Sequence, residues 1–316
     1  MPLRLIDYDE GISAIDADYV RPGLAAIHLI VEGGKAALVD TGTSSSVAGV
    51  MEVLKKKNLA SADVAYIFTT HIHLDHAGGA GEFMYRFPNA KLVVHPRGAR
   101  HMANPAKLVE SAMTVYGEKE FNRLYGVIRP VDADRIIEAP DGFSLDFNGR
   151  PLLFLDTPGH ARHHYSIFDK KSQSFFTGDT FGLSYREFDV NGMEFVFPTT
   201  TPVQFDPNAA HASIERIMSY EPSYAFLTHY GRIGHLPRHA AGMHDLIDVH
   251  VTIARKLCDV PDRHAAIVEE LGELLLQRII AHDCKLPPTE IRELLSLDVE
   301  LNAQGLEHWL DQADGT

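Results

Sequence analysis

The sequence predicts a layered α/β protein with a helical C-terminal segment. Short β-rich runs alternate with helical runs through about residue 235, and helical spacing alone continues beyond that point. The chain has 316 residues, 45% of them hydrophobic and 23% charged, so its composition is that of a globular protein with a substantial core. We therefore expect one layered domain that carries a helical appendage.

The predicted elements follow from local patterns. Gly33-Gly34 and Asn148-Gly149 each separate two apolar runs, which is typical of hairpin turns. Ser44 to Ser46 can cap a helix that ends at Lys55-Lys56-Lys57, where cations suit the helix dipole. Strands are predicted at 24–32, 35–40, 64–68, 91–95, 143–147, 151–156, 165–168, 174–177 and 224–228.

Two helical regions interrupt or follow this β-rich pattern. Residues 97–130 predict a helical insertion, which is either a lid or a helical pair packed on the sheet edge. Residues 239–316 predict a helical appendage, so we expect a catalytic domain at 1–238 followed by this tail. We also expect the tail to supply part of a substrate pocket.

The most informative motif is His71-Ile72-His73-Leu74-Asp75-His76, directly after the strand predicted at 64–68. In extended backbone His71 and His73 point the same way, because side chains alternate with period two. Asp75 and His76 can turn toward a second point as the chain leaves the strand. The motif therefore suits two neighbouring metals, and the alternative is a polar turn with solvated histidines.

Three further strand ends carry potential ligands. Thr157-Pro158-Gly159-His160, Thr177-Gly178-Asp179-Thr180 and Thr228-His229-Tyr230-Gly231 each close a predicted strand. Loops held by a rigid sheet commonly carry chemistry, so these side chains could converge on one edge. That convergence disfavours the solvated-turn alternative.

These residues resemble the hallmark set of the metallo-β-lactamase superfamily over roughly residues 20–235. The matching positions, in order, are Asp40, His71, His73, Asp75, His76, His160, Asp179 and His229. The resemblance implies a four-layer αββα sandwich with two divalent metals per chain. It also implies that His71, His73 and His160 hold one metal, that Asp75, His76 and His229 hold the other, and that Asp179 bridges them.

The resemblance also narrows the branch of the family. Position 179 is Asp and not Cys, which is unlike the familiar zinc β-lactamases and similar to the glyoxalase II, lactonase and phosphodiesterase branches. The helical tail is similar to the substrate-covering helices of glyoxalase II and of the quinolone-signal response thioesterases. Arg162-His163 differs from the Thr-Pro usual in that loop, and we expect His164 to support the ligands from behind.

The ligand chemistry indicates hydrolysis. Nitrogen and carboxylate ligands suit zinc, the expected metal, with iron or manganese as alternatives. A hydroxide that bridges two metals is available near neutral pH and can cleave an ester, lactone, thioester or phosphoester of a small molecule. We expect Asp75 to orient the nucleophile and carry a proton, and Asp40 to orient a ligand imidazole.

Other features have structural as well as functional interpretations. Most histidines outside the motifs are expected at the surface or in satisfied positions, although one could touch substrate. They are His95, His101, His211, His235, His239 and His244. The aromatic residues between Phe181 and Phe205 form either a pocket wall or core. Cys258 and Cys284 make no disulfide framework.

The net charge and the N-terminal sequence indicate which partners and which location to expect. The formal net charge is −14, which disfavours nucleic acid and anionic membranes. Without a signal-like start or a membrane-spanning run, the expectation is a cytoplasmic protein that binds a small-molecule substrate and that could form a homodimer. Two alternatives stay open: an iron-dependent oxidoreductase, similar to persulfide dioxygenases or flavodiiron proteins, and a metal-binding signalling protein with incidental turnover.

Overall fold

A computed structural model describes residues 5–201 and 203–313. The chain divides into two compact units. Unit 1 contains the residues up to Asp156, together with His163–Gly178 and Pro222–Arg232. Unit 2 contains Thr157–Arg162, Asp179–Glu221 and the residues from Ile233 onward.

Two mixed sheets organise the fold. The first sheet has seven strands in the order β1 to β7, antiparallel from β1 to β4 and parallel from β4 to β7. Its strands are β1 Leu5–Asp7, β2 Ile12–Asp16, β3 Ala26–Glu32, β4 Lys35–Val39, β5 Val64–Thr69, β6 Lys91–Val94 and β7 Ile136–Glu138. The second sheet has six strands in the order β13-β12-β11-β10-β9-β8. Its strands are β8 Ser144–Phe147, β9 Arg150–Asp156, β10 Tyr165–Asp169, β11 Ser174–Gly178, β12 Tyr224–Leu227 and β13 Gly231–Ile233.

The core of unit 1 lies between the inner faces of these sheets. Phe68 of the first sheet packs edge-on against Phe154 of the second, with ring centroids 5.4 Å apart. Both belong to one buried cluster that also includes Ile30, Phe176 and Phe226. Burial of large apolar side chains from both sheets is the main stabilising contribution to this layered arrangement. The predicted layered α/β sandwich with C-terminal helices is confirmed.

Ten α-helices lie within the described residues. Six precede β8: α1 Val47–Lys56, α2 Leu74–Ala77, α3 Ala80–Arg86, α4 Pro96–Ala103, α5 Ala106–Tyr116 and α6 Glu118–Leu124. Four follow β11: α7 Pro207–Met218, α8 Leu236–Lys256, α9 Arg263–Ala281 and α10 Pro288–Ala313. Helices α4 to α6 occupy the predicted insertion at 97–130, and α8 to α10 occupy the predicted tail.

The interior of unit 2 joins the tail to earlier segments. Helix α9 buries Ile267, Leu271 and Leu275 at helical spacing. On α10, the side chain of Asn302 accepts from the Thr200 amide at 2.6 Å and donates to the Pro198 carbonyl at 3.2 Å. The division predicted at residue 238 stays a prediction. Throughout residues 5–201 and 203–313, each helix is too short or too polar to cross a membrane.

Candidate metal centre

Parallel strands carry the candidate ligands to common sheet edges. In the first sheet β4 and β5 are parallel with Val39 opposite Phe68, so Asp40 and the His71 motif leave at the same edge. In the second sheet β11 and β12 are parallel with Gly178 opposite Leu227. Asp179 and His229 therefore follow neighbouring strand ends. The carboxyl ends of parallel strands are where ligands commonly bind in α/β sheets.

Asp40 is a fully buried carboxylate at the centre of a hydrogen-bond network. It accepts the Thr70 amide at 2.8 Å, the Thr70 hydroxyl at 3.0 Å, His76 Nδ1 at 2.7 Å and the Thr228 hydroxyl at 2.6 Å. Its backbone is left-handed, with φ of 60°, a conformation that Asp tolerates better than most residues. Asp40 therefore links the ends of β4, β5 and β12.

The hydrogen bonds of two imidazoles fix their tautomers. A carboxylate only accepts, so His76 Nδ1 carries the proton that it shares with Asp40. A carbonyl also only accepts, so His229 Nδ1 donates to the Leu24 carbonyl at 2.8 Å. In the neutral form both rings must then present a lone pair at Nε2.

These two lone pairs face each other and a third acceptor. His76 Nε2 lies 3.4 Å from His229 Nε2, and Asp75 Oδ2 lies 3.6 Å and 3.3 Å from them. Ligand atoms bound at about 2.0–2.1 Å to one tetrahedral cation lie roughly 3.3–3.4 Å apart. Three acceptors at this spacing fit a divalent cation, and Asp75, His76 and His229 form one group whose ligand atoms could hold an ion.

His71 and His73 form a second close pair in unit 1. The Thr70 hydroxyl donates to Asp40, so His71 Nδ1, 3.2 Å away, donates to that hydroxyl and leaves Nε2 as an acceptor. This Nε2 lies 2.9 Å from His73 Nδ1. The buried ring of His164 lies 4.9 Å from the His71 ring, centroid to centroid, and its supporting role stays a prediction.

Two predicted ligands lie in unit 2. His160 and Asp179 are both buried, and His160 Nε2 lies 3.5 Å from Asp179 Oδ2. The other imidazole nitrogen, Nδ1, lies 3.5 Å from the Thr199 carbonyl and from the Thr201 hydroxyl. The Thr180 hydroxyl donates to the Thr157 carbonyl at 2.9 Å, which ties together the two loops that carry these ligands.

Phenols and a further histidine surround the unit 1 cluster. The hydroxyls of Tyr19 and Tyr125 lie 2.9 Å apart, and Tyr116 packs edge-on against Tyr125. Burial, together with the charge of Asp75, raises the pKa of Tyr116 to about 12. Burial and the neighbouring His73 lower the pKa of His163 to about 3. These phenols are therefore neutral hydrogen-bonding groups at physiological pH.

Four of the remaining histidines, and the aromatic segment after Asp179, have structural contacts. His95 pairs with Asp156 at 3.0 Å, and His239 pairs with Glu194 at 3.2 Å. His211 lies 2.6 Å from His244 through their Nδ1 atoms. The aromatic segment between Phe181 and Phe205 is interior to unit 2, which favours the core interpretation. Its buried members are Phe181, Tyr185, Phe188, Phe195, Phe197 and Phe205.

Sequence reasoning did not identify Thr70, Thr228 or His163. A signal for the threonines was present, because Thr70-His71 and Thr228-His229 are the same dipeptide at two strand ends. Each threonine donates to Asp40 while the histidine after it faces the site. For His163 the signal was its unusual place in the loop after His160.

Comparison with known proteins identifies the family. Residues 20–229 match the Metallo-beta-lactamase superfamily, which is more than half of the chain. The chain therefore belongs to the metallo-β-lactamase superfamily, and the resemblance predicted from the motifs is confirmed. Members of this family usually bind divalent metals, and the His and Asp side chains at the strand ends could do so here.

Several relatives are similar in sequence. The Metallo-beta-lactamase fold-containing protein ST1585 of Sulfurisphaera tokodaii is 29% identical over 228 residues, covering 71% of this chain and 79% of the relative. A hydroxyacylglutathione hydrolase of Synechococcus is 30% identical over 45% of each chain. The N-acyl homoserine lactonase AttM of Azorhizobium caulinodans is 29% identical over 46% of this chain and 57% of the relative. The chain thus spans about half the length of these two named enzymes.

Solved structures support the fold. TTHA1429 of Thermus thermophilus superposes with a TM-score of 0.67 at 20% identity, covering 96% of this chain and 94% of that protein. ST1585 superposes with a TM-score of 0.58 at 24% identity, covering 90% and 100% respectively. At these identities the likeness establishes the architecture alone.

Proposed function

We propose that the protein is a dinuclear metal-dependent hydrolase that cleaves an ester, lactone, thioester or phosphoester of a small molecule. The observation that carries this proposal is the triangle of Asp75 Oδ2, His76 Nε2 and His229 Nε2, whose sides measure 3.3, 3.4 and 3.6 Å. Ligand atoms of this kind at this spacing suit a divalent cation. The relatives named as a hydroxyacylglutathione hydrolase and an N-acyl homoserine lactonase support a hydrolytic reaction.

The proposed ligand set divides between two metals. Asp75, His76 and His229 would hold one, and His71 and His73 with His160 would hold the other. Asp179, whose carboxylate lies 3.5 Å from His160 Nε2, would bridge them. Nitrogen and oxygen donors without thiolate suit zinc, with iron or manganese as alternatives. When bound, such a pair lowers the pKa of water to about 7 and polarises the scissile group.

The chain's own residues would orient ligands and move the proton. Asp75 is the one carboxylate of the triangle and is partly exposed, with 22% of its side-chain surface accessible. Its oxygen atoms can therefore accept a proton from the attacking water and deliver it to the leaving group. Asp40 holds the proton on His76 Nδ1, which keeps His76 Nε2 available to the metal.

Metal analysis and a substrate panel test the proposal together. We expect two metal equivalents per chain after purification without chelator, and turnover of at least one class in a panel of esters, lactones, thioesters and phosphodiesters. A single reproducible equivalent, or oxygen uptake without hydrolysis, would contradict the proposal. Oxygen uptake would favour the oxidoreductase alternative.

A variant pair sharpens this test. Asp179→Ala should lose a metal and most activity, because two facing cations would lack the anion between them. Asp311→Ala is the control, since Asp311 is an exposed carboxylate of the same unit that pairs with Arg263. If Asp179→Ala retains both metals, Asp179 does not bridge.

A further inference from the structure

Unit 2 contains an open cleft whose lining residues are not proposed metal ligands. Its volume is about 440 Å³, within the range of roughly 300–1,000 Å³ that small-molecule sites occupy. Its walls come from Arg162, from the segment before α7 and the first turns of that helix, from the C-terminal half of α8 and from the end of α10. A cleft of this size can admit a small organic molecule.

One part of the cleft is apolar. Phe205, Val251 and Trp309 come from three different segments, and all three line the cleft. Phe205 is buried, whereas Val251 and Trp309 are half-buried and still accessible. Apolar and aromatic side chains supply most of the contact surface in small-molecule sites. This part of the cleft therefore suits the apolar body of a ligand.

Two arginines add positive charge to the same cleft. Arg162 and Arg255 are both exposed, and both line it. The Arg255 guanidinium lies 5.4 Å from the centre of the Trp309 ring, a cation–π contact that restricts where this side chain can lie. A guanidinium can stack on a ring with its flat face and still donate from the N–H groups at its edge. Those N–H groups match the two oxygen atoms of a carboxylate.

The acidic side chains of the cleft already accept hydrogen bonds from the protein. Asp206 precedes the first residue of α7 and accepts the Ala209 amide at 3.0 Å. Asp248 accepts from His211 Nε2 at 3.1 Å, and His211 Nδ1 lies 2.6 Å from His244 Nδ1. Since a carboxylate only accepts, neutral His211 carries its proton on Nε2 and accepts from His244 at Nδ1. These donors offset part of the negative charge, so the two arginines decide which ligand charge the cleft favours.

The cleft adjoins the loop that carries His160. The Arg162 amide donates to the Gln204 side chain at 2.8 Å. The Asp206 amide donates to the Gly159 carbonyl, also at 2.8 Å. A ligand in the cleft would therefore contact the segment that holds a proposed metal ligand.

We propose that this cleft binds a small organic carboxylate. The carboxylate oxygens accept hydrogen bonds from Arg162 and Arg255, and the apolar body packs against Phe205 and Trp309. The carboxylate belongs either to the far end of the substrate or to a separate molecule that binds beside the His160 loop. Binding in the cleft does not depend on the proposed function.

Trp309 gives a direct readout of binding, because it is the chain's one tryptophan and lines the cleft. Sodium benzoate is titrated into the full chain at constant ionic strength, with excitation at the red edge of tryptophan absorption. We expect a saturable change in fluorescence with a Kd of roughly 1–10 mM. Benzamide has the same shape without the charge, and inorganic phosphate has charge without an apolar body. Each should bind at least about tenfold more weakly than benzoate.

Substitutions of single arginines locate the carboxylate. Arg162→Gln and Arg255→Gln should each weaken benzoate binding by roughly tenfold, the loss of a charge-assisted hydrogen bond. Because Arg255→Gln also removes the cation beside Trp309, calorimetry measures the affinity of each variant independently of fluorescence. Arg292→Gln is the matched control, since Arg292 is an exposed arginine of α10 that pairs with Glu273. It should bind benzoate as the wild type does.

Three results would each overturn the proposal. They are the absence of saturable benzoate binding, equal affinity for benzoate and for benzamide or phosphate, and wild-type affinity in both Arg162→Gln and Arg255→Gln. Thermal melting of each variant checks that the fold is intact.

Inhibition kinetics identify the source of the carboxylate and separate this site from the proposed function. Competitive inhibition of ester hydrolysis by benzoate that is lost in Arg162→Gln assigns the carboxylate to the substrate. Arginine-dependent binding without competition assigns it to a separate molecule. If no ester is hydrolysed but benzoate binding still depends on the two arginines, the proposed function fails and the carboxylate site stands.

Discussion

Replacement of Asp40 by Asn should weaken metal binding, because it changes which nitrogen of His76 carries the proton. Asn keeps the size of Asp but offers one acceptor oxygen in place of two. If that oxygen still accepts the hydrogen bond from the Thr70 amide, the NH₂ group faces His76 Nδ1 and the Thr228 hydroxyl. The Thr228 hydroxyl can turn to accept, whereas His76 must move its proton from Nδ1 to Nε2. The proton would then occupy the atom that faces His229 Nε2 at 3.4 Å.

The expected magnitude follows from this loss of a ligand atom. Partners that orient a metal-binding imidazole contribute about 10- to 100-fold to metal affinity, which is about 1.4 to 2.7 kcal/mol. Competition titration with a chromophoric chelator at neutral pH measures this affinity directly. Asp169→Asn is the matched control, because Asp169 is also a fully buried carboxylate but pairs with buried Arg150. Metal affinity within twofold of wild type in Asp40→Asn would refute the tautomer argument.

Two further substitutions test packing and pH dependence. Gly178→Ala should reduce both the free energy of unfolding and metal affinity, because a Cβ there would lie 2.6 Å from the Thr70 hydroxyl and from His164 Nε2. Gly34→Ala is the control, because Gly34 also has a positive φ but open space around its Cβ position. It should show only the cost of backbone strain, about 1–2 kcal/mol. If Gly178→Ala and Gly34→Ala lower the melting temperature and the metal affinity equally, the contact of position 178 with Thr70 and His164 has no consequence. His250 is fully buried, and desolvation lowers its pKa from 6.5 to about 4, so the unfolded state binds the proton first. The free energy of unfolding should therefore be fully retained above pH 6.5 and fall by up to about 3 kcal/mol as pH drops to 4. Urea titrations should show a shallower fall for His250→Leu, and an unchanged acid slope would contradict this assignment.

The sequence predicted the ligands because their signals are local. Each candidate ligand comes at or just after a strand end, and the alternation of β-rich and helical runs located most strands. Strands β1, β2, β7 and β13 were missed, since β1, β7 and β13 have only three residues and β2 is buried along its whole length without alternation. Short strands, and strands buried on both faces, lack the period-two pattern on which the prediction depends.

Tautomers at the candidate site depend on long-range contacts that no local pattern encodes. His229 Nδ1 donates to the backbone carbonyl of Leu24, and His76 Nδ1 donates to Asp40. The first pair is separated by 205 residues and the second by 36. A backbone carbonyl has no sequence identity, so its choice as a partner follows only from the packing of the loop before β3. Motif spacing could therefore name the ligands but not the atom that each presents.

The tail helices contribute to the position of a proposed ligand within unit 2. Asn302 of α10 binds the Thr200 amide and the Pro198 carbonyl, and Thr199, between them, has its carbonyl 3.5 Å from His160 Nδ1. Gly305 also lies against the Thr200 carbonyl, so closely that any Cβ would overlap it. If the tail only supplied part of a substrate pocket, a chain ending near Gly234 would bind metal and lose most kcat/KM toward its own substrate, while keeping measurable turnover of a small unselective ester. Because removal of α10 also removes these supports, we expect such a chain to hold His160 less firmly. Asn302→Ala in the full chain is therefore the sharper test, and unchanged metal affinity would show that α10 supports the loop without influencing His160.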